Sequence, residues 1–175
     1  EIETGKIKNE APLACELMHQ TEARKVLYMA VFLHDLAKGK GGDHSILGSK
    51  IAAKLCPWFG FSEDETDTVK WLIRWHLLIS KIAFRYDLND PKTIQNFVED
   101  VQSLERLKLL LVLTVADIRA VGPNIWNGWK ASLMRVLYYE SERVLGGLAP
   151  SHEESGLSEQ SKSRAKILIQ KNLTW

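Results

Sequence analysis

The 175-residue chain has only two cysteines, Cys15 and Cys56, far apart and outside any Cys-x-x-Cys spacing. That excludes a zinc ribbon or a disulfide scaffold and fits a reducing compartment, with both thiols expected to be buried and inert. It also lacks an excess of charge of either sign, since 23 Lys+Arg against 22 Asp+Glu leave +1. Without a basic field, sequence-independent nucleic-acid binding has no driving force. No apolar run is long enough to span a bilayer: the longest, Leu107 to Ala116, is interrupted by Lys108 and Thr114. The polar N-terminus has no signal-peptide character. The expected protein is therefore cytoplasmic, with no nucleic-acid and no membrane partner. The glycine run from Gly39 to Gly42 does not match Gly-x-x-x-x-Gly-Lys, so ATP binding is not implied.

What is present is a 45% hydrophobic composition over a length that suits one domain. Size scaling has such a chain bury about 70% of its unfolded surface, enough for a core without staples. Apolar residues recur every three or four positions, which predicts an all-α fold. Helices are expected near 22–38, 44–57, 62–80, 91–100, 103–120, 127–146 and 158–171, a bundle of about six to seven. Start signals support several of them: Ser62 with Glu65 forms a capping box, and Asp90 places a cap acceptor before a first-turn Pro91. One domain is expected over 1–147. Residues 148–175, rich in Gly, Ser and Glu at their start, read as a linker and a short terminal helix.

Several polar residues fall on faces that should be apolar. Leu27, Ala30 and Val31 precede His34 by seven, four and three residues, so His34 is expected to share their inward face. The same offsets place His76 with Val69, Leu72 and Ile73, and Asp117 with Leu110, Leu113 and Thr114. His44 opens a helix with Leu47, Gly48 and Ile51 following at three, four and seven. A lone inward histidine is more often bonded to a backbone carbonyl than to a metal. Three inward histidines with Asp35 and Asp117 are another matter, because buried carboxylates must be paired with cationic groups or become protonated. A shared divalent metal answers that requirement in one place. His19, read as lying before a helix start, and His152 in the linker are expected to be solvated.

The ordered set His34-Asp35, His44, His76 and Asp117, each expected on a separate helix, resembles the HD superfamily of metal-dependent phosphohydrolases. The stretches Phe32-Leu-His-Asp-Leu-Ala-Lys-Gly39, Gly41-Gly-Asp-His-Ser-Ile-Leu-Gly48, Trp75-His-Leu-Leu-Ile-Ser80, Thr114-Val-Ala-Asp-Ile-Arg-Ala120 and Ile125-Trp-Asn-Gly-Trp-Lys130 narrow it. They are similar to the HD domains of the bacterial bifunctional uridylyltransferase/uridylyl-removing family, over about Leu13 to Val144. The resemblance implies an HD helical bundle that hydrolyses the phosphodiester joining UMP to a tyrosine of the nitrogen-signalling PII protein. It implies a further ligand histidine upstream of Glu1, so that the set here is one ligand short. By the same token the chain is expected to be a piece of a larger nucleotidyltransferase whose ACT domains sense glutamine.

By that resemblance His34, Asp35 and Asp117 hold one metal, and His44 and His76 hold a second ion or bind phosphoryl oxygens. The N and hard O donors suit Mn²⁺, Fe²⁺, Mg²⁺ or Zn²⁺, and the resemblance favours Mn²⁺ or Mg²⁺. A divalent ion so held brings the pKa of water toward neutrality, and no protein nucleophile is required. Lys38, four residues after His34, either neutralises phosphoryl charge or favours a helix C-terminus. Asp43 is read as a helix cap rather than a catalytic group. Arg119 and Lys130 are candidate contacts for the uridine phosphate. Trp126 with Trp129, three apart on one helical face, and Trp71 with Trp75, four apart, are read as core or interface. Two alternatives stand: a generic HD nucleotide phosphohydrolase, and a non-catalytic helical interaction module.

Overall fold

The computed structural model describes residues 1–122 and 124–148. Its helices are α1 (Pro12–Gln20), α2 (Arg24–Leu33), α3 (His44–Leu55), α4 (Glu63–Trp75), α5 (Leu78–Arg85), α6 (Pro91–Val101), α7 (Leu104–Ala120) and α8 (Gly128–Leu145). A 3-10 turn over Cys56–Phe59 follows α3, and no strand occurs among the described residues. The all-α expectation holds. None of these helices is long and apolar enough to cross a membrane. Cys15 and Cys56 are free and buried, as expected.

α7 is the axis of the bundle. Leu107 and every residue from Leu109 to Val115 are buried, because α1, α2, α4, α5, α6 and α8 all pack around it. A helix apolar on all sides has to be surrounded, and this explains the run that was too short for a membrane. Five helix starts carry side-chain caps. Asp43, Ser62, Asp90, Ser103 and Asn127 accept from the backbone N–H of Ser45, Glu65, Lys92, Arg106 and Lys130. Each such cap contributes about 1 kcal/mol. The box at Ser62 and the Asp90-Pro91 start appear as the sequence reading expected, and the preferred reading of Asp43 holds too.

Three boundaries differ from expectation. α1 is an additional helix: Pro12 occupies its first turn rather than marking a break. Ala11, Ala14, Cys15 and Met18, at helical spacing, are buried by it. His19 is thus in the last turn of α1, exposed, and not before a helix. The helix expected over 62–80 is two helices, α4 and α5, separated at His76-Leu77 without proline or glycine. The one expected over 22–38 stops as an α-helix at Leu33, after which Leu36, Lys38 and Lys40 bond three residues back in tight turns. Within α2, Val31 is 37% exposed and does not share the inward face expected for it with His34. Trp126 precedes the Asn127 cap of α8, so it does not share a helical face with Trp129. The helix expected at 158–171 lies outside the described residues.

α3 lies very close to α4 and to the end of α2, and Gly48 is the reason. A Cβ at Gly48 would stand 3.0 Å from Ile73 Cγ2 and 3.7 Å from the His34 carbonyl oxygen. Gly48→Val therefore overpacks the contact and is expected to lose about 1–3 kcal/mol, read from urea denaturation. An unchanged midpoint would show that α3 does not need this approach.

Candidate metal centre

Four elements meet at one end of the bundle. His34 and His76 are not inside helices but are the residues that close α2 and α4, and His44 is the first residue of α3. Asp117 lies in the last turn of α7. The two closing histidines are aimed by the same device. His34 Nδ1 is 2.7 Å from the Val31 carbonyl oxygen, and His76 Nδ1 is 2.8 Å from that of Ile73. Carbonyls in a last helical turn have no partner within the helix, and an imidazole that donates its Nδ1–H there presents Nε2 as a bare lone pair.

The Nε2 atoms converge on carboxylates. His34 Nε2 lies 3.4 Å from Asp117 Oδ1 and 3.8 Å from Asp35 Oδ2. His44 Nε2 lies 3.9 Å from Asp35 Oδ1 and 3.3 Å from His76 Nε2. Both outer imidazoles meet the His76 ring edge-on, at centroid distances of 5.4 Å for His34 and 5.2 Å for His44. The donor atoms of His34, Asp35 and Asp117 lie within 4.8 Å of one another, and so do those of Asp35, His44 and His76. Asp35 belongs to both groups and turns one oxygen toward each. All five residues that the sequence reading proposed as ligands are brought together.

Whether these groups suit a cation is decided by His34. Its Nε2 is buried with no hydrogen-bond partner among the described residues, and a buried polar atom left so costs about 1–3 kcal/mol. The mixed N and O donor set, with ring orientation fixed through the second nitrogen, fits a divalent ion of the first transition row or Mg²⁺. The proton equilibria agree. The Asp117 carboxylate is the largest influence on His34 and holds its imidazole above the ordinary value of 6.5, against the opposing effect of burial. His34 in turn holds Asp117 below the usual carboxylate range. Burial pushes His76 down, so it is neutral at pH 7.

The remaining residues singled out from the sequence are placed as follows. Lys38 Nζ is 2.9 Å from Asp35 Oδ2 with most of its side chain exposed, over the cluster. Arg119 is committed elsewhere, pairing with Glu10 and Glu1. Lys130 Nζ donates to the Ile125 carbonyl oxygen at 2.7 Å. Trp126 donates its indole N–H to the Glu10 carbonyl oxygen at 2.9 Å, and Trp129 stacks on Phe84. Trp71 and Trp75 are half-buried against the core. Neither Arg119 nor Lys130 is among the groups that meet at the cluster. Arg74, which the sequence reading passed over, joins α4 to Asp43 and Ser45 on either side of His44. No motif marks it, because its partners come from another helix.

His34 and His76 act on stability with opposite sign. A folded pKa above 6.5 gives stabilisation that is complete below 6.5 and is lost as pH rises through the folded value. A depressed one gives stabilisation present above 6.5 and lost as pH falls. In chelator, the stability difference between the wild-type chain and His34→Gln is therefore expected to shrink as pH rises above 6.5, measured by denaturant titration at a series of pH values. A difference that grows with pH would contradict the His34–Asp117 pairing.

The HD domain family matches residues 6–120. The chain is 56% identical over 163 residues to a bifunctional uridylyltransferase/uridylyl-removing enzyme of Azospirillum brasilense, covering 93% of the chain and 17% of that protein. It is 51% identical over 167 residues to the enzyme of that name from Novosphingobium aromaticivorans, covering 95% of the chain and 18% of the relative. The chain thus spans less than a fifth of the length of these curated relatives. No solved structure matches it. With the matched span running from before α1 to the end of α7 and enclosing all five clustered residues, the chain belongs to the HD domain family.

Proposed function

We propose that this chain is a metal-dependent phosphodiesterase that removes UMP from the uridylylated PII protein, the uridylyl-removing half of a bifunctional enzyme. The observation that carries the chemistry is the placement of Asp35, with Oδ2 toward His34 and Oδ1 toward His44, beside the unpartnered Nε2 of His34. The names of the relatives support the uridylyl substrate, and their length supports a place for the chain within a longer bifunctional protein.

His34, Asp35 and Asp117 would hold one divalent cation, and Asp35, His44 and His76 a second, Mn²⁺ or Mg²⁺ being favoured. Such an ion supplies Lewis acidity, which acidifies water near pH 7 and offsets phosphoryl charge. The chain's own residues do the rest. The carbonyls of Val31 and Ile73 keep two imidazoles aimed inward. The low pKa of Asp117 keeps it ionised throughout the physiological range. The Lys38 ammonium, lying on Asp35 and largely in solvent, would be placed to meet a phosphoryl oxygen over the cluster.

Incubating the Mn²⁺-loaded chain with uridylylated PII should release UMP. Asp35→Asn should cut the rate by more than ~100-fold, since losing even an outer-shell partner of a metal typically costs 10–100-fold. Release of UMP from free nucleotides at the same rate as from PII would favour a generic nucleotide phosphohydrolase. Independently of activity, Mn²⁺ at 100 times its Kd should stabilise the fold by about 2.7 kcal/mol, and an unmoved Tm would favour a non-catalytic helical module.

A further inference from the structure

The three histidines of the cluster are not held alike. His34 and His76 close helices, so each has a carbonyl three residues back to receive its Nδ1–H. His44 begins a helix, where no preceding helical turn exists to offer one, and among the described residues its only ring hydrogen bond is the 3.3 Å contact with His76. Its side chain is also the more exposed, 28% against 13% for His34. Something other than its own second nitrogen must set its aim.

The flanking residues supply it. Asp43 caps α3 by accepting the Ser45 backbone N–H at 2.9 Å and the Ser45 hydroxyl at 2.6 Å. Arg74 Nη1 donates to Asp43 Oδ2 at 3.2 Å and to Ser45 Oγ at 2.8 Å. Arg74 thus grips the residue before His44 and the residue after it. It stands in the last turn of α4, two residues ahead of His76, and its guanidinium lies over the Trp75 ring at 5.4 Å. One side chain therefore ties the backbone that presents His44 to the backbone that presents His76.

We propose that Arg74 is the positioning residue for His44, holding the His44–His76 half of the cluster in register while leaving the His34–Asp117 half to its own supports. This rests on the cation reading of the site given above. Without Arg74 the first turn of α3 keeps its Asp43 cap but loses its tether to α4, and His44 is then free to turn into solvent. The expected cost in cation affinity is that of an outer-shell partner, about 10–100-fold.

Two readouts test it. In the metal-free chain, the His44 ring signals in NMR should move toward those of a free imidazole in Arg74→Ala, with the His34 signals unmoved. Arg74→Lys, which can still reach one acceptor, should fall in between. In Mn²⁺ titrations Arg74→Ala should weaken binding about 10–100-fold, and in a His44→Ala background the same change should shift the remaining affinity by less than about twofold. Ser45→Ala removes the shorter Arg74 bond while sparing the cap, and it carries the same readouts if Arg74→Ala does not fold. Unmoved His44 signals, or equal loss of affinity with and without His44, would overturn the proposal. If the wild-type chain binds no Mn²⁺, the cation reading fails and the ring signals alone decide the role of Arg74.

Discussion

The bundle is organised around an electrostatic debt: His34 Nε2, buried and 3.4 Å from the Asp117 oxygen, has no hydrogen-bond partner among the described residues. In a half-buried site this arrangement is favoured by a positive charge between the donors, either a proton on His34 or a cation shared with Asp35. The raised pKa of His34 and the lowered pKa of Asp117 express the first solution, and the spacing of the five donor groups expresses the second. The surroundings serve to keep that choice open. α7, apolar on all sides, brings Asp117 to the place where α2 and α4 end. Gly48 lets α3 come close enough to carry His44 in.

Helix ends, rather than helix faces, do the presenting. A histidine that closes a helix caps a free carbonyl with one nitrogen and offers the other to the site, so one side chain serves the backbone and the centre together. The break between α4 and α5 follows from this. Thr114 of α7 donates to the Leu110 carbonyl oxygen and stands 3.4 Å from the His76 carbonyl oxygen, where the α4 ladder gives way.

Much of this could be read in the sequence where the cause is local. Residue type decides donor chemistry, so His34, Asp35, His44, His76 and Asp117 could be singled out one by one. The caps at Asp43, Ser62 and Asp90 depend on residues two or three positions away. What escaped has a tertiary cause. Nothing near residue 76 interrupts the apolar period, so a continuous 62–80 helix was the natural expectation until the burial of His76 is seen. α1 was missed because Pro12 reads as punctuation, although Ala11, Ala14, Cys15 and Met18 carried the helical spacing. Arg119 and Lys130 have the right charge for a phosphate contact, but Glu10 and the Ile125 carbonyl occupy them. Arg74 carried no signal at all, since both of its acceptors lie on α3 or at its cap.

The central claim is that five side chains from four parts of the chain form one cation centre bridged by Asp35. Anomalous scattering from crystals grown with Mn²⁺ tests it most directly. The account predicts a peak between His34, Asp35 and Asp117, with a second between Asp35, His44 and His76. Mn²⁺ density elsewhere on the bundle, with these five residues left unliganded, would contradict it.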